Sequence, residues 1–148
     1  MSKFVGLGTA CSDLGCPVCS VRHGGQKGCL KGNCQANNIG YVATCVTCQE
    51  AGKTVVYEGE SGRNLKQRSL EHWRDIRSCK PTSGLYCHIR DHHGGSIPVI
   101  RFQVRQRFSD ALSRQLDEGA RIEETDDEQL MNTRDEWVPP VLSRMTVN

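Results

Sequence analysis

The sequence predicts an α+β fold, a small antiparallel three-stranded sheet flanked by helices, with an N-terminal annex stabilised by zinc. Two observations carry this expectation. From Ile39 onward the apolar pattern alternates between short strand-like and amphipathic helical runs, in the order β-β-α-α-β-α. In addition, nine cysteines accompany a composition that is only 36% hydrophobic and 5% aromatic over 148 residues, so metal or disulfides are available to replace missing core.

Residues 1–36 are glycine- and cysteine-rich with almost no apolar periodicity, and such a segment must be ordered by something other than hydrophobic burial. Ile39 to Cys45 and Thr54 to Gly59 are β-type runs joined by a loop containing Cys45-Val46-Thr47-Cys48, and they read as a hairpin. Helical patterning from Asn64 to Ile76 offers Leu65, Leu70, Trp73 and Ile76 for an inner face. A second helix fits Ser83–His93, and Ile97-Pro98-Val99-Ile100-Arg101-Phe102-Gln103-Val104 alternates like a strand. The last helix begins at Ser109-Asp110 with Ser109 as N-cap and reaches Glu123, with Ala111, Leu112, Leu116 and Ile122 as its apolar positions. The tail Leu130–Val147 reads as a short helix or extended segment broken at Pro139-Pro140. Two units follow: a Cys-rich zinc-binding segment over 1–36 and a larger domain over 37–148.

The net charge of +2 hides an asymmetry. Residues 1–107 carry 15 Lys/Arg against 7 Asp/Glu, a net +8, whereas residues 108–148 carry 4 against 10, a net −6. A basic body of this kind fits a polyanionic partner. There is no secretory h-region and no 18-residue apolar run, so the expectation is an intracellular protein without a membrane partner. In a reducing compartment, clustered Cys with nearby His read as zinc ligands, with disulfides as the alternative.

Cys45-x2-Cys48 is a metal knuckle, and His88, His92 or His93 can complete it. His88 and His92 share a helical face, while His93 serves if the helix ends before Gly94-Gly95. Upstream, Cys11-x4-Cys16-x2-Cys19 leads to Cys34. Cys16 and Cys19 form the firmest pair, Cys34 is the third ligand, and Cys11 or Cys29 is the fourth. About two structural zinc ions per chain are expected, whereas Cys79 and Cys87 read as ordinary small residues.

Tyr41 and Tyr57 on the two hairpin strands, with Arg68 and His72 four residues apart on the next helix, are the parts of a phosphodiester-cleaving site. Such a site activates a water, holds a metal at the phosphate and neutralises charge in the transition state. Tyr41 or Tyr57 can act as a base only where its pKa is lowered. Arg68 offers a fork for phosphate oxygens, and His72 can orient or relay a proton. Mg²⁺ (or Mn²⁺) needs a carboxylate, for which Glu118 is the best candidate. Arg63, Lys66, Arg74, Arg77 and Lys80 are available for DNA phosphates.

This constellation resembles the GIY-YIG nucleases. In that family an arginine follows the glycine of the second tyrosine motif by nine residues and a histidine follows four later, as Gly59, Arg68 and His72 do here. The resemblance implies Tyr41 as general base, Tyr57 as phosphate contact, Glu118 as metal ligand and Asn132 as the family's C-terminal asparagine. The first motif reads Ile39-Gly40-Tyr41, and Glu58 replaces an apolar residue in the second. Cys45-x2-Cys48 between the motifs, Gly59–Leu65, Arg114-Gln115, Glu118–Ile122 and Leu130–Trp137 resemble the endonuclease domain of Penelope-like retroelements. That resemblance favours His93 and Cys11 as zinc ligands. It implies a nuclear enzyme that nicks target DNA to prime reverse transcription, working with an RNA template and a fused or associated reverse transcriptase. The alternative is a zinc-dependent nucleic-acid-binding module without significant catalysis.

Overall fold

Strand β3 (Ile39–Cys45) forms the spine of the molecule, and every one of its seven residues is buried. β4 (Val56–Ser61) pairs with one edge and β5 (Ile100–Arg107) with the other, both antiparallel, giving the order β4-β3-β5. Ala43 thus lies between Tyr57 and Phe102. The computed structural model describes Cys11 and residues 15–23, 26, 27 and 33–132. Cys29 and the tail beyond Asn132, including Pro139-Pro140, lie outside them.

The sheet and its helices agree with the expected order, and the differences have local causes. The hairpin connection folds into a short helix, α1 (Val46–Glu50), instead of an open loop, so Cys45 ends the strand and Cys48 lies one turn on. α2 (Leu65–Arg77) starts at Asn64, whose side chain accepts from the Gln67 N–H at 2.9 Å while Gln67 answers with a reciprocal capping bond. Its buried face runs Leu65, Ser69, His72, Ile76, which leaves Leu70 40% exposed on the flank. α3 (Gly84–His93) is capped by Ser83 and stopped by Gly94 in the left-handed conformation at φ 59°.

β5 begins at Ile100 rather than Ile97. Pro98 has no N–H for a ladder, and Val99 bonds α1 instead, donating to Thr47 Oγ1 and accepting from Val46 N–H. α4 (Ala111–Glu124) takes Asp110, not Ser109, as N-cap: the carboxylate accepts from the Ser113 N–H at 2.7 Å. A charged acceptor suits the positive end of the helix better than a hydroxyl does. The expected apolar face of α4 is also rotated. Leu112 and Leu116 are 39% and 51% exposed and Ala111 is exposed, whereas Arg114, Gly119 and Ile122 face inward.

Pleating sets Tyr41, Tyr57, Phe102 and Val104 on one face of the sheet, and these residues join the hydrophobic cluster formed with Leu65, Ile76, Leu85 and Ile89 of the helices. Cys16, Val18, Cys34 and Ala36 of the N-terminal segment belong to the same cluster. That segment also contains a small ribbon of β1 (Arg22–His23) and β2 (Gln26–Lys27). After α4 the chain returns along β4, where the Met131 N–H donates to Val56 O at 2.7 Å and covers part of that strand's open edge. Among the described residues no helix is long and apolar enough to cross a membrane.

Candidate active site and metal centres

Tyr41 and His72 meet in the buried face between β3 and α2, with the Tyr41 hydroxyl 2.6 Å from His72 Nε2. Tyr57 stands edge-on to the same imidazole at 5.0 Å between ring centroids, and Phe102 stacks on it at 5.9 Å. Burial, together with the charge of Arg68, lowers the His72 pKa to about 3, so the ring is neutral. Burial also holds the Tyr41 hydroxyl well above its usual range, an effect that the Arg68 charge opposes and the Glu118 and Glu60 charges reinforce. The phenol therefore keeps its proton, the reverse of the lowered pKa expected of a base, and Tyr41 shares a hydrogen bond with a neutral His72.

The sign of the His72 shift fixes a pH dependence. Its folded pKa lies below the ordinary 6.5, so the unfolded chain binds more protons and stability falls as pH drops below about 6.5 toward 3. Urea midpoints measured between pH 7 and pH 4 are expected to show this loss, approaching 1.4 kcal/mol per pH unit for this group. His72→Gln should flatten the slope by nearly one proton. Equal slopes in the two proteins would show that His72 is not buried neutral.

Gly59 lies directly opposite Tyr41 in the ladder. A Cβ there would collide with the Tyr41 ring and hydroxyl, so only glycine lets the phenol lie across β4. Arg68 hydrogen-bonds toward Tyr41, interacts with the Tyr57 hydroxyl, and is itself held by Glu71 Oε1 at 3.0 Å. Glu71 also pairs with Arg63, so one carboxylate gathers two guanidinium groups at the start of α2. Glu118, on α4, is near enough for its charge to act on Tyr41.

Asn132 is occupied differently. Its amide donates to Glu58 O at 2.8 Å and its oxygen accepts from Glu58 N–H at 2.9 Å, clamping the β4 edge next to Tyr57. Glu58, the departure from the tyrosine motif, is buried and paired twice with Arg105, at 2.8 and 2.9 Å. That pairing explains how a carboxylate occupies an apolar position. Arg63, Arg74, Arg77 and Lys80 are exposed and Lys66 partly so. Lys66, Arg74 and Arg77 lie at helical spacing along α2, although Arg74 and Arg77 also complement its C-terminal dipole.

Two four-residue groups could hold zinc. In Cys11, Cys16, Cys19 and Cys34, and again in Cys45, Cys48, His88 and His93, all ligand atoms lie within 4.8 Å of one another. In the second group, the two Nε2 atoms are 3.1 Å apart, Cys48 Sγ is 3.6 Å from His88 Nε2, and both sulfurs are 3.5 Å from His93 Nε2. Tetrahedral zinc with ordinary bond lengths requires edges of roughly 3.3 Å for N···N and roughly 3.6 Å for S···N, so these residues fit the ion. Burial pushes the Cys45 thiol up to about 11, and burial with His93 and His92 lowers His88 to about 4. The imidazole is thus in its ligating form, and a cation is what would favour the thiolate. His92 is exposed outside the group, and no disulfide joins the eight described cysteines.

Glu60, Glu71, Arg114 and Asn38 were not singled out from the sequence as site residues. Glu71 carried a signal in its spacing of three residues from Arg68, and Glu60 and Arg114 lie within the stretches that carry the resemblance. Comparison of the chain with protein-family models, curated proteins and solved structures finds no match.

Proposed function

We propose that the chain is a GIY-YIG-type, metal-dependent DNA endonuclease that nicks its target to provide a 3′ end for reverse transcription, as in Penelope-like retroelements. The buried Tyr41–His72 hydrogen bond beside Arg68 is the observation that carries this reading. Glu118 would hold Mg²⁺ or Mn²⁺, which supplies charge neutralisation at the scissile phosphate and lowers the pKa of water there. Arg68 binds a non-bridging phosphate oxygen, and Tyr57 contacts the same group.

As water attacks phosphorus, its proton passes to the Tyr41 oxygen while the Tyr41 proton moves to His72 Nε2. The P–O3′ bond breaks and the leaving O3′ takes a proton from solvent water, giving a 3′-hydroxyl and a 5′-phosphate, and His72 returns its extra proton to solvent. The positive charge of Arg68 is one cause of the low His72 pKa. A phosphate bound at Arg68 offsets that charge and makes His72 a better proton acceptor at the moment it is needed. The basic residues Arg63, Lys66, Arg74, Arg77 and Lys80 contact flanking phosphates. A reverse transcriptase with its RNA template, in a nuclear setting, is the proposed partner.

The test is a supercoiled plasmid assay on zinc-loaded protein in metal-free buffer, restored with Mg²⁺ or Mn²⁺. Wild-type protein is expected to accumulate nicked circles only after addition, and Tyr41→Phe to lose at least about 10²-fold in rate. DNA binding without metal-dependent nicking would instead identify a zinc-dependent binding module.

A further inference from the structure

We propose that Arg114 is a positioning residue of this cleavage site. It fixes α4, and with it Glu118, against the strands carrying Tyr41 and Tyr57, and it keeps the Glu60 carboxylate away from the cation. The inference rests on the nuclease reading above.

Arg114 is only 9% exposed, an unusual place for an arginine on an otherwise outward-turned stretch of helix. Its Nε donates to Glu60 Oε1 and its Nη1 donates to Asn38 Oδ1 at 2.9 Å. Asn38 is a hub in turn. It adopts a left-handed φ of 53°, its N–H donates to Gly62 O at 3.3 Å, and its carbonyl accepts from the Phe108 N–H at 2.7 Å. The start of β3, the end of β4, the end of β5 and α4 therefore meet at two residues, Arg114 through its side chain and Asn38 through its side chain and backbone.

Arg114 and Glu118 are four residues apart on one face of α4, so the bond that anchors Arg114 also sets the position of Glu118. Charge gives the second half of the argument. Glu60 and Glu118 both act on the Tyr41 hydroxyl. With Glu60 committed to Arg114, the cation is offered Glu118; without Arg114, it is offered two carboxylates and is drawn off the productive position.

Arg114→Gln, Arg114→Lys, Glu60→Gln and the double variant Arg114→Gln/Glu60→Gln test this, by nicking kinetics on folded zinc-loaded protein and by Mn²⁺ binding measured by electron paramagnetic resonance without DNA. Arg114→Gln is expected to lose about 10²-fold in kcat and to bind Mn²⁺ several-fold more tightly. Adding Glu60→Gln should return the Mn²⁺ affinity to the wild-type value and restore part of kcat. Arg114→Lys keeps the charge but not the fork, so its Mn²⁺ affinity stays near wild type while kcat falls about tenfold. A lower melting temperature with unchanged kcat and Mn²⁺ affinity would reduce Arg114 to a structural role and overturn the proposal. A wild-type chain that does not nick would sink the nuclease reading alone. The Mn²⁺ arm would then decide, and an unchanged affinity in Arg114→Gln would overturn the positioning role.

Discussion

Glu118→Gln is expected to lower Mg²⁺-dependent plasmid nicking by about 10³-fold or more while changing DNA affinity by less than about threefold. The substitution keeps shape and helix propensity and removes only the charge. Glu118 is partly exposed on α4, so stability should change within about 0.5 kcal/mol. An amide oxygen can still touch a cation but cannot neutralise it, so a divalent ion held there as proposed would lose its protein anchor. In the proposed function DNA would be held mainly through phosphates by Arg63, Lys66, Arg74, Arg77 and Lys80, none of which is altered, and removing a negative charge near the phosphate would not oppose binding. Equilibrium binding in Ca²⁺ and initial nicking rates in Mg²⁺ separate the two effects. Undiminished cleavage would rule out Glu118 as the metal ligand.

Cys48→Ala is expected to release one of two zinc ions and to abolish cooperative thermal unfolding at neutral pH. Cys45 ends β3, Cys48 lies in α1, and His88 and His93 lie on α3, so a single ion held by them would tie the turn between the tyrosine strands to a separate helix. Structural zinc contributes about 10–16 kcal/mol in small peptides, against a whole-domain stability of about 5–15 kcal/mol. Even a fraction of that contribution exceeds the margin. The chain also replaces little of it with core, since only 36% of its residues are hydrophobic. Elemental analysis with a circular-dichroism melt reads both effects. Two retained zinc ions and an unchanged melt would remove this site from the fold. Wild-type protein without zinc would return the cysteines to the disulfide alternative.

The fold was largely legible because its signals are local. Ile39–Cys45 and the run from Thr54 announce themselves by β-branched and aromatic residues, although the second strand runs Val56–Ser61 rather than Thr54 to Gly59 and the caps at Asn64 and Ser83 emerged only in the structure. Errors arose where a neighbour overrode local preference. Val99 is drawn to α1, and Leu112 and Leu116 are turned outward because Arg114 takes the inner position. Cys11 and His93 were favoured by resemblance and left open by spacing, because spacing constrains how far a ligand can reach but not which way its side chain points.

The sequence by itself determined the α+β order, the cysteine groups, and the set Tyr41, Tyr57, Arg68, His72 and Glu118, since residue type and spacing encode both backbone preference and available chemistry. Only the tertiary structure decided that Tyr41 is hydrogen-bonded to a neutral His72, that Asn132 clamps β4, and that Arg114 joins Glu60 to Asn38. Those facts depend on contacts between residues 31 to 76 positions apart in the chain and on the loss of water around them. Burial, unlike spacing, belongs to the assembled fold, and it sets both the protonation state of the site and which charges must be paired.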